Sequence, residues 1–310
     1  MSWADEPTLI LGADGFVGRN LRIWLEQRGW PSHAIGRADG DLTDAATCER
    51  LFQVAPRCGR IVHLATHQRT GQRQYEIPAT LLDVNARIHL NVLRAWAQWQ
   101  PQAKLISTGS SCAYPENPDP ITEGRFMTGP LHPSVQCYGL AKQVLVTGSD
   151  AYARQYGLRW LHCILATLYG PFDHTANDRA HFIGGMMSRA LAERASGSRV
   201  FTVWGNPATV RECLYVTDQI EAIVAADSCF ENQILNCAAN QPTTVGAVAR
   251  AVLEALDWPA VIEHPENSFQ GTLRKVLDSS RFLTASGWKP RIDLVAGLQY
   301  VAQSLSEPSP

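Results

Sequence analysis

Short apolar runs alternate with longer amphipathic segments along the first half of the chain. The runs 8–11, 61–65 and 105–106 are apolar and are typical of buried strands. Over 17–25 and 78–99, apolar residues recur every three to four positions, which is the spacing of one helix face. Alternating strands and helices predict an α/β fold with a doubly wound parallel sheet, because a crossover helix joins parallel strands.

The second half of the chain is less regular. It predicts a strand over 158–165, a strand and turn over 200–205, and helices from Gln219, over 243–256 and over 294–305. We therefore expect a dinucleotide-binding domain of residues 1–166 with 210–240, and a smaller, mostly C-terminal substrate-binding lobe of residues 167–209 with 241–310.

Three glycines follow the first strand at a spacing of three. Gly12, Gly15 and Gly18 would allow a tight turn, the approach of a pyrophosphate to backbone N–H groups, and close helix–strand packing. The strand before them and the helix after them make a dinucleotide site of the Rossmann type the best interpretation. Phe16 and Val17, which open the helix, are expected to contact the same cofactor.

The second strand ends at Gly36-Arg37, where dinucleotide enzymes distinguish their cofactors. An arginine at this place can accept a 2′-phosphate, so Arg37 predicts NADP(H); the alternative is a solvated surface arginine. Asp41 and Leu42 are expected to run past the adenine. Leu64 and Ala65, at the end of the third strand, are expected to flank the cofactor.

The fourth strand ends in small hydroxyl residues, and a helix beyond it carries Tyr138 and Lys142 four positions apart. Both side chains would lie on one helix face. We expect the Lys142 ammonium to lower the pKa of the Tyr138 phenol, since a nearby cation favours the phenolate. With Ser110 on the strand end holding the substrate oxygen, these residues would form a proton relay for hydride transfer at a carbonyl. A Tyr-x-x-x-Lys pair alone also occurs by chance in helices.

Composition excludes several classes of partner. The formal net charge is −2 over 310 residues, so no nucleic acid or anionic membrane is expected. No apolar run is long enough for a membrane span, and the acidic N-terminus does not resemble a signal peptide. The 8 cysteines form no Cys-x-x-Cys pair, which indicates reduced thiols, a cytoplasmic location and no metal site.

Several motifs together resemble a known family, the extended short-chain dehydrogenases/reductases of nucleotide-sugar metabolism. Within it, the chain is similar to the 3,5-epimerase/4-reductases of the GDP-L-fucose synthase type. The motifs that carry the resemblance are Gly109–Pro115, Leu168–Pro171, His181 with Arg189, Val203–Gly205, Arg211-Glu212 and Arg274–Asp278.

The resemblance implies an enzyme with NADP(H) as cofactor and a GDP-linked 4-keto-6-deoxy sugar as the favoured substrate. It makes Ser110, Tyr138 and Lys142 the reductase triad, and Cys112 and His181 the epimerase pair, with His181 also facing the cofactor. A thiol and an imidazole titrate near neutrality and suit proton transfer at C3 and C5. It also implies a homodimer. The residues it assigns to the substrate are Ser111, Thr167, Arg189, Trp204, Arg211 and Lys275.

The chain departs from the family pattern near the expected substrate. Leu165-Ala166-Thr167 replaces Pro-Thr-Asn, Ser134–Cys137 replaces a Thr-Asn, and Thr66–Arg69 stands where the family has a double glycine. These differences leave the particular sugar open. The alternatives are a redox-neutral, NAD-dependent nucleotide-sugar 4-epimerase and, less favoured because the relay is intact, a non-enzymatic NADP-binding regulator.

Overall fold

The computed structural model describes residues 2–70, 73–116, 121–175, 179–265 and 273–306. Its strands are β1 (Thr8–Leu11), β2 (Ser32–Ile35), β3 (Arg60–His63), β4 (Lys104–Ser110), β5 (Trp160–Leu165), β6 (Thr167–Tyr169), β7 (Val200–Thr202), β8 (Val210–Tyr215), β9 (Gln233–Cys237), β10 (Pro242–Thr244) and β11 (Val261–Glu263). Its helices are α1 (Phe16–Glu26), α2 (Ala45–Val54), α3 (Arg73–Glu76), α4 (Pro78–Trp99), α5 (Gln136–Tyr156), α6 (Phe182–Ala195), α7 (Val216–Cys229), α8 (Val245–Ala255), α9 (Ser280–Ser286) and α10 (Leu294–Ser306).

A six-stranded parallel sheet in the order β2-β1-β3-β4-β5-β9 forms the centre of the larger unit. Side chains alternate between its two faces, so Ile61 and Leu105 join α2, α4 and α5 in one apolar core. Val62 and Ile106 join α1 and α7 in a second core on the opposite face. The predicted doubly wound parallel sheet is confirmed.

A smaller three-stranded sheet in the order β10-β8-β6 lies beside it, with β8 parallel to β6 and antiparallel to β10. A third apolar core belongs to this part of the chain and gathers residues of α6, α8 and α10. The segment from β8 to β9 thus contributes β8 to the smaller sheet and β9 to the larger one. The division into a domain of residues 1–166 with 210–240 and a lobe of residues 167–209 with 241–310 stays a prediction.

Element bounds follow the sequence pattern closely in some places and not in others. The helix over 78–99 has the predicted limits. The helix expected from Gln219 already begins at Val216, directly after β8. The helix expected over 243–256 begins at Val245, because the Thr244 hydroxyl accepts the Ala247 N–H at 3.1 Å and caps it, leaving Thr244 extended.

All 8 cysteines are free, and no group of three or more His, Cys, Asp or Glu side chains within the described ranges could hold a metal ion. No helix in the described part of the chain combines the length and the apolar character that crossing a bilayer requires.

Candidate active site

A cavity of about 1100 Å³ opens at the carboxyl ends of β1, β3, β4 and β5. This is the edge at which open parallel sheets bind ligands. Most residues predicted for the site meet there: Gly12, Gly15, Phe16, Val17, Gly18, Arg37, Asp41, Leu42, Leu64, Ala65, Ser110, Ser111, Cys112, Tyr138, Lys142, Thr167, His181, Arg211 and Lys275 all line it. Of the predicted site residues, Arg189 and Trp204 are outside this lining.

The glycine turn after β1 fits a dinucleotide because side chains would fill it. Gly12 has φ +84°, and a Cβ there would lie 2.7 Å from the Ala65 amide nitrogen. A Cβ at Gly18 would overlap the Gly12 carbonyl oxygen, so α1 packs against the turn only with glycine there. The turn therefore leaves backbone N–H groups at the N-terminus of α1 close to the cavity, an arrangement suited to a pyrophosphate.

The end of β2 carries the side chains that would meet the far end of the cofactor. Arg37 is exposed and lines the cavity, and its backbone N–H donates to the Asp14 carboxylate at 2.8 Å. Arg69 and Arg179 lie close enough to His67, together with Arg37, to lower the pKa of that imidazole, after burial as the main cause. This concentration of positive charge suits a phosphate. The sequence offered no signal for Asp14, Arg69 or Arg179, since they come from three separate loops.

The relay residues meet because the N-terminus of α5 packs against the turn after β4. A Cβ at Gly139 would lie 2.5 Å from the Cys112 carbonyl oxygen, so only glycine permits this approach. The Ser110 hydroxyl oxygen accepts the Cys112 N–H at 3.3 Å and begins the turn Ser111–Ala113. Lys142 points its ammonium to within 5.8 Å of the Tyr138 ring centroid.

The expected effect of Lys142 on Tyr138 is wrong for this structure. Burial raises the pKa of the Tyr138 phenol well above its usual value, the Cys112 thiol adds to this, and a hydrogen bond between the phenol and the Thr66 side chain opposes it only in part. Burial also lowers the pKa of Lys142 to about 8. Burial therefore sets the direction of both pKa shifts at this site.

Thr66 belongs to the segment Thr66–Arg69, which departs from the family pattern and was not predicted to contact Tyr138, and a buried asparagine holds it in place. Asn85 on α4 accepts from the Thr66 hydroxyl at 3.0 Å and from the His67 N–H at 2.7 Å. Its amide donates to the His67 carbonyl at 2.8 Å. Asn85 therefore holds the loop after β3 in the place where it meets the Tyr138 phenol.

Cys112 lines the cavity beside two cationic side chains. The Lys275 ammonium is 3.9 Å from its Sγ atom. Arg211 also lines the cavity, and burial lowers the pKa of its guanidinium, with the nearby Cys213 and Cys112 opposing that effect. A positive environment stabilises negative charge on a cysteine sulfur, which is what a thiol base requires.

His181 lies at the N-cap of α6 and lines the cavity. Its Nδ1 atom is 2.6 Å from the Asp173 carboxylate, whose side chain is only 4% exposed. The two residues are eight positions apart and joined by a loop, so their spacing gives no motif. The sequence therefore predicted His181 and missed Asp173.

Arg189 and Trp204 form a pair away from the main cavity. The Arg189 guanidinium carbon lies 3.9 Å from the Trp204 ring centroid, and Nη1 donates to the Thr202 carbonyl at 3.3 Å. Trp204 is 61% exposed. The stacked indole and guanidinium offer a flat cationic surface on the smaller lobe, so a role in binding substrate stays a prediction.

Comparison with known proteins identifies a family and several named relatives. The model of the NAD dependent epimerase/dehydratase family matches residues 8–238. GDP-L-fucose synthase 1 of Arabidopsis thaliana is 30% identical over 302 residues, which cover 96% of this chain and 92% of that relative. GDP-L-fucose synthase of Escherichia coli (strain K12) is 28% identical over an alignment of 316 residues that covers 95% of this chain and 95% of that relative. A crystal structure of a GDP-L-fucose synthetase from Naegleria fowleri bound to NADP superposes with a TM-score of 0.89 at 22% identity, covering 97% of this chain and 93% of that chain.

Proposed function

The chain belongs to the NAD dependent epimerase/dehydratase family, and we propose that it is an NADPH-dependent 4-ketoreductase of a GDP-linked 4-keto-6-deoxy sugar. We propose further that it epimerises the same sugar at C3, C5 or both. The observation that carries the proposal is that two sets of proton-transfer groups line one cavity with the glycine turn. The relatives named GDP-L-fucose synthase, which align over nearly the whole chain, support the choice of substrate class.

Reduction is assigned to Tyr138, Lys142 and Ser110. NADPH, when bound, would supply the hydride to the C4 carbonyl carbon. Tyr138 donates its proton to the carbonyl oxygen, which the Ser110 hydroxyl orients. As the phenol gives up its proton, the Lys142 ammonium stabilises the negative charge that develops on the phenolate oxygen. The phenol is protonated at neutral pH, but burial, which raises the pKa of Tyr138, makes it a weaker acid, so the proton transfer depends on the Lys142 ammonium beside it.

Epimerisation is assigned to Cys112 and His181. The C4 carbonyl acidifies the protons on C3 and C5, and inversion requires a base on one face of the sugar and an acid on the other. Cys112, with the Lys275 ammonium 3.9 Å from its sulfur, suits the base. His181, with a carboxylate on Nδ1, suits the acid.

The preference for NADPH over NADH is assigned to Arg37 with the positive charge of Arg69 and Arg179 around it. We also propose a homodimer through α4 and α5, which pack on one another and carry the exposed apolar side chains Leu90 and Leu140. Free cysteines and a reductive reaction are compatible with a cytoplasmic location, which we propose as well.

The test is a pair of measurements on purified protein with GDP-4-keto-6-deoxymannose. NADPH oxidation should be observed, and without NADPH the enzyme should exchange deuterium from heavy water into C3 or C5. Cys112→Ser should suppress the exchange, because a serine hydroxyl is a far weaker base at neutral pH. Protein that carries tightly held NAD and gives no net NADPH oxidation would be a redox-neutral 4-epimerase, and the reductase proposal would fall. Reduction without deuterium incorporation would leave a plain 4-ketoreductase.

A further inference from the structure

We propose that Asp173 is a positioning residue for His181, holding the imidazole in the tautomer and orientation required for proton transfer to the sugar carbons. The inference rests on the epimerase part of the proposed function. Asp173 belongs to none of the sequence motifs named above, and it has no part in the proposed reduction.

The geometry is that of a buried carboxylate bound to a ring that reaches a cavity. Oδ1 of Asp173 lies 2.6 Å from Nδ1 of His181 and accepts the His174 backbone N–H at 2.8 Å. The Asp173 side chain is 4% exposed, whereas that of His181 is 30% exposed. Because Nδ1 donates to the carboxylate, Nε2 is the ring nitrogen that exchanges a proton with a ligand.

The Asp173 carboxylate also offsets positive charge around His181. His181 is the N-cap of α6, a helix of 14 residues, and a helix N-terminus carries partial positive charge that disfavours a cation. Besides Asp173 and His181, the charged groups that act on the neighbouring His174 are Arg179 and Arg19, which are both positive. Asp173 places a negative charge in direct contact with the His181 ring, among these positive groups.

The neighbouring helix leaves room for this contact. A Cβ at Gly184 would lie 2.6 Å from Oδ2 of Asp173 and 3.2 Å from its carboxyl carbon. Oδ2 is buried without a donor among the described residues. Gly184 lies in the first turn of α6, so glycine there allows the carboxylate to pack beneath the helix N-terminus and reach His181.

The experiment compares Asp173→Asn, Gly184→Ala and wild-type enzyme. Asparagine keeps an oxygen that accepts from Nδ1 and from the His174 N–H but removes the charge, whereas Gly184→Ala keeps the charge and displaces the carboxylate. Both should slow deuterium exchange into C3 or C5 about 10- to 100-fold, taking as a guide the losses seen when the hydrogen-bond partner of a metal-ligating histidine is removed. Asp150→Asn on α5, which removes a surface carboxylate paired with Arg154, is the matched control and should exchange normally.

The tautomer of the ring separates positioning of His181 from a general structural loss. In Asp173→Asn, the ¹⁵N NMR signals of the His181 ring, which need no substrate, should show less of the form protonated on Nδ1, because an uncharged amide holds that proton less strongly than a carboxylate does. NADPH binding should stay normal. Wild-type exchange rates with an unchanged tautomer signal in Asp173→Asn would overturn this inference and leave the proposed function standing. Wild-type enzyme that does not exchange at all would overturn the epimerase proposal itself.

Discussion

Three buried histidines should make the protein unusually sensitive to mild acid. His63, at the end of β3, and His162, on β5, flank Ser107 in register across the sheet. Nε2 of His63 lies 2.9 Å from Nδ1 of His89 on α4, and Nδ1 of His162 lies 2.7 Å from the Ser107 hydroxyl. All three rings are at most 1% exposed.

Their burial determines the sign of the effect. Burial, followed by the positive charge of Lys142, lowers the pKa of His63 to about 3 and of His162 to about 3, and it lowers the pKa of His89 well below its usual value. The unfolded chain binds protons on these rings below about pH 6.5, whereas the folded protein does not. The free energy of unfolding should therefore be fully present above pH 6.5 and decrease as the pH falls from there toward 3.

The size of the effect follows from the protons taken up on unfolding. Below about pH 6.5, each ring that stays neutral in the folded protein lowers the free energy of unfolding by about 1.4 kcal/mol per pH unit. Between pH 7 and pH 5 the decrease is about 2 kcal/mol for each ring. Two buried carboxyls, Glu212 and Asp218, act in the opposite direction, because burial raises their pKa and the folded state gains protons there. Three histidines still amount to about 6 kcal/mol before that offset, a large part of the 5–15 kcal/mol typical of a folded protein.

The assay is urea unfolding at pH 7, 6 and 5, followed by tryptophan fluorescence. His89→Gln keeps a hydrogen-bonding side chain beside His63 but removes one titrating ring. Its free energy of unfolding should therefore decrease by about 2 kcal/mol less than that of wild type between pH 7 and pH 5. His33→Gln on the edge strand β2 is the control and should follow wild type. A free energy of unfolding that is unchanged from pH 7 to pH 5 would refute the argument.

Three further predictions concern the relay, the cofactor and assembly. Tyr138→Phe should bind NADPH nearly as well as wild type but lower the rate of reduction by orders of magnitude, because the proton donor is gone; near-normal turnover would contradict its assignment. Arg37→Ala should weaken NADPH binding by roughly 1–3 kcal/mol and leave NADH binding little changed, whereas an equal loss for both cofactors would show that Arg37 does not contact a 2′-phosphate. Leu90→Glu should convert the proposed dimer to monomer in sedimentation at micromolar concentration; wild-type protein that is already monomeric would refute the dimer.

The strands and helices were predictable where burial alone decides them. The helix over 78–99 follows from its apolar spacing because one of its faces packs against one core. The strands predicted over 8–11 and 61–65 correspond to β1 and to β3 (Arg60–His63), and they read as continuous apolar runs because each is buried between two cores. The start of α7 was missed because Val216 and Thr217 are as suitable for a strand as for a helix. They are helical because β8 ends at the residue before them, and the local sequence pattern does not show where that strand ends.

The candidate site was predictable where one motif supplies several groups. The glycine turn and the Ser110–Cys112 segment each lie on a single strand-to-helix connection, so spacing was enough to find them. Asp173 and Thr66 reach the site from separate loops, and their contribution depends on contacts distant in the chain. The prediction for the pKa of Tyr138 was wrong for a different reason. The spacing to Lys142 was right, but burial decides the sign of the pKa shift, and the degree of burial cannot be obtained from spacing.

The lowered pKa of Lys142 carries a last prediction about catalysis. With a pKa of about 8, the ammonium is roughly 90% charged at pH 7 and becomes neutral as the pH rises through 8. Only the charged form stabilises the phenolate that Tyr138 becomes, so the rate of reduction should be level below about pH 7 and fall as the pH rises through 8. Stopped-flow measurement of NADPH oxidation at saturating substrate, with NADPH binding followed separately, isolates this step. The residual rate of Tyr138→Phe should not show the decline, since no phenolate forms in that variant. A wild-type rate that stays level to pH 10 would mean that the charge of Lys142 does not contribute to the proton transfer.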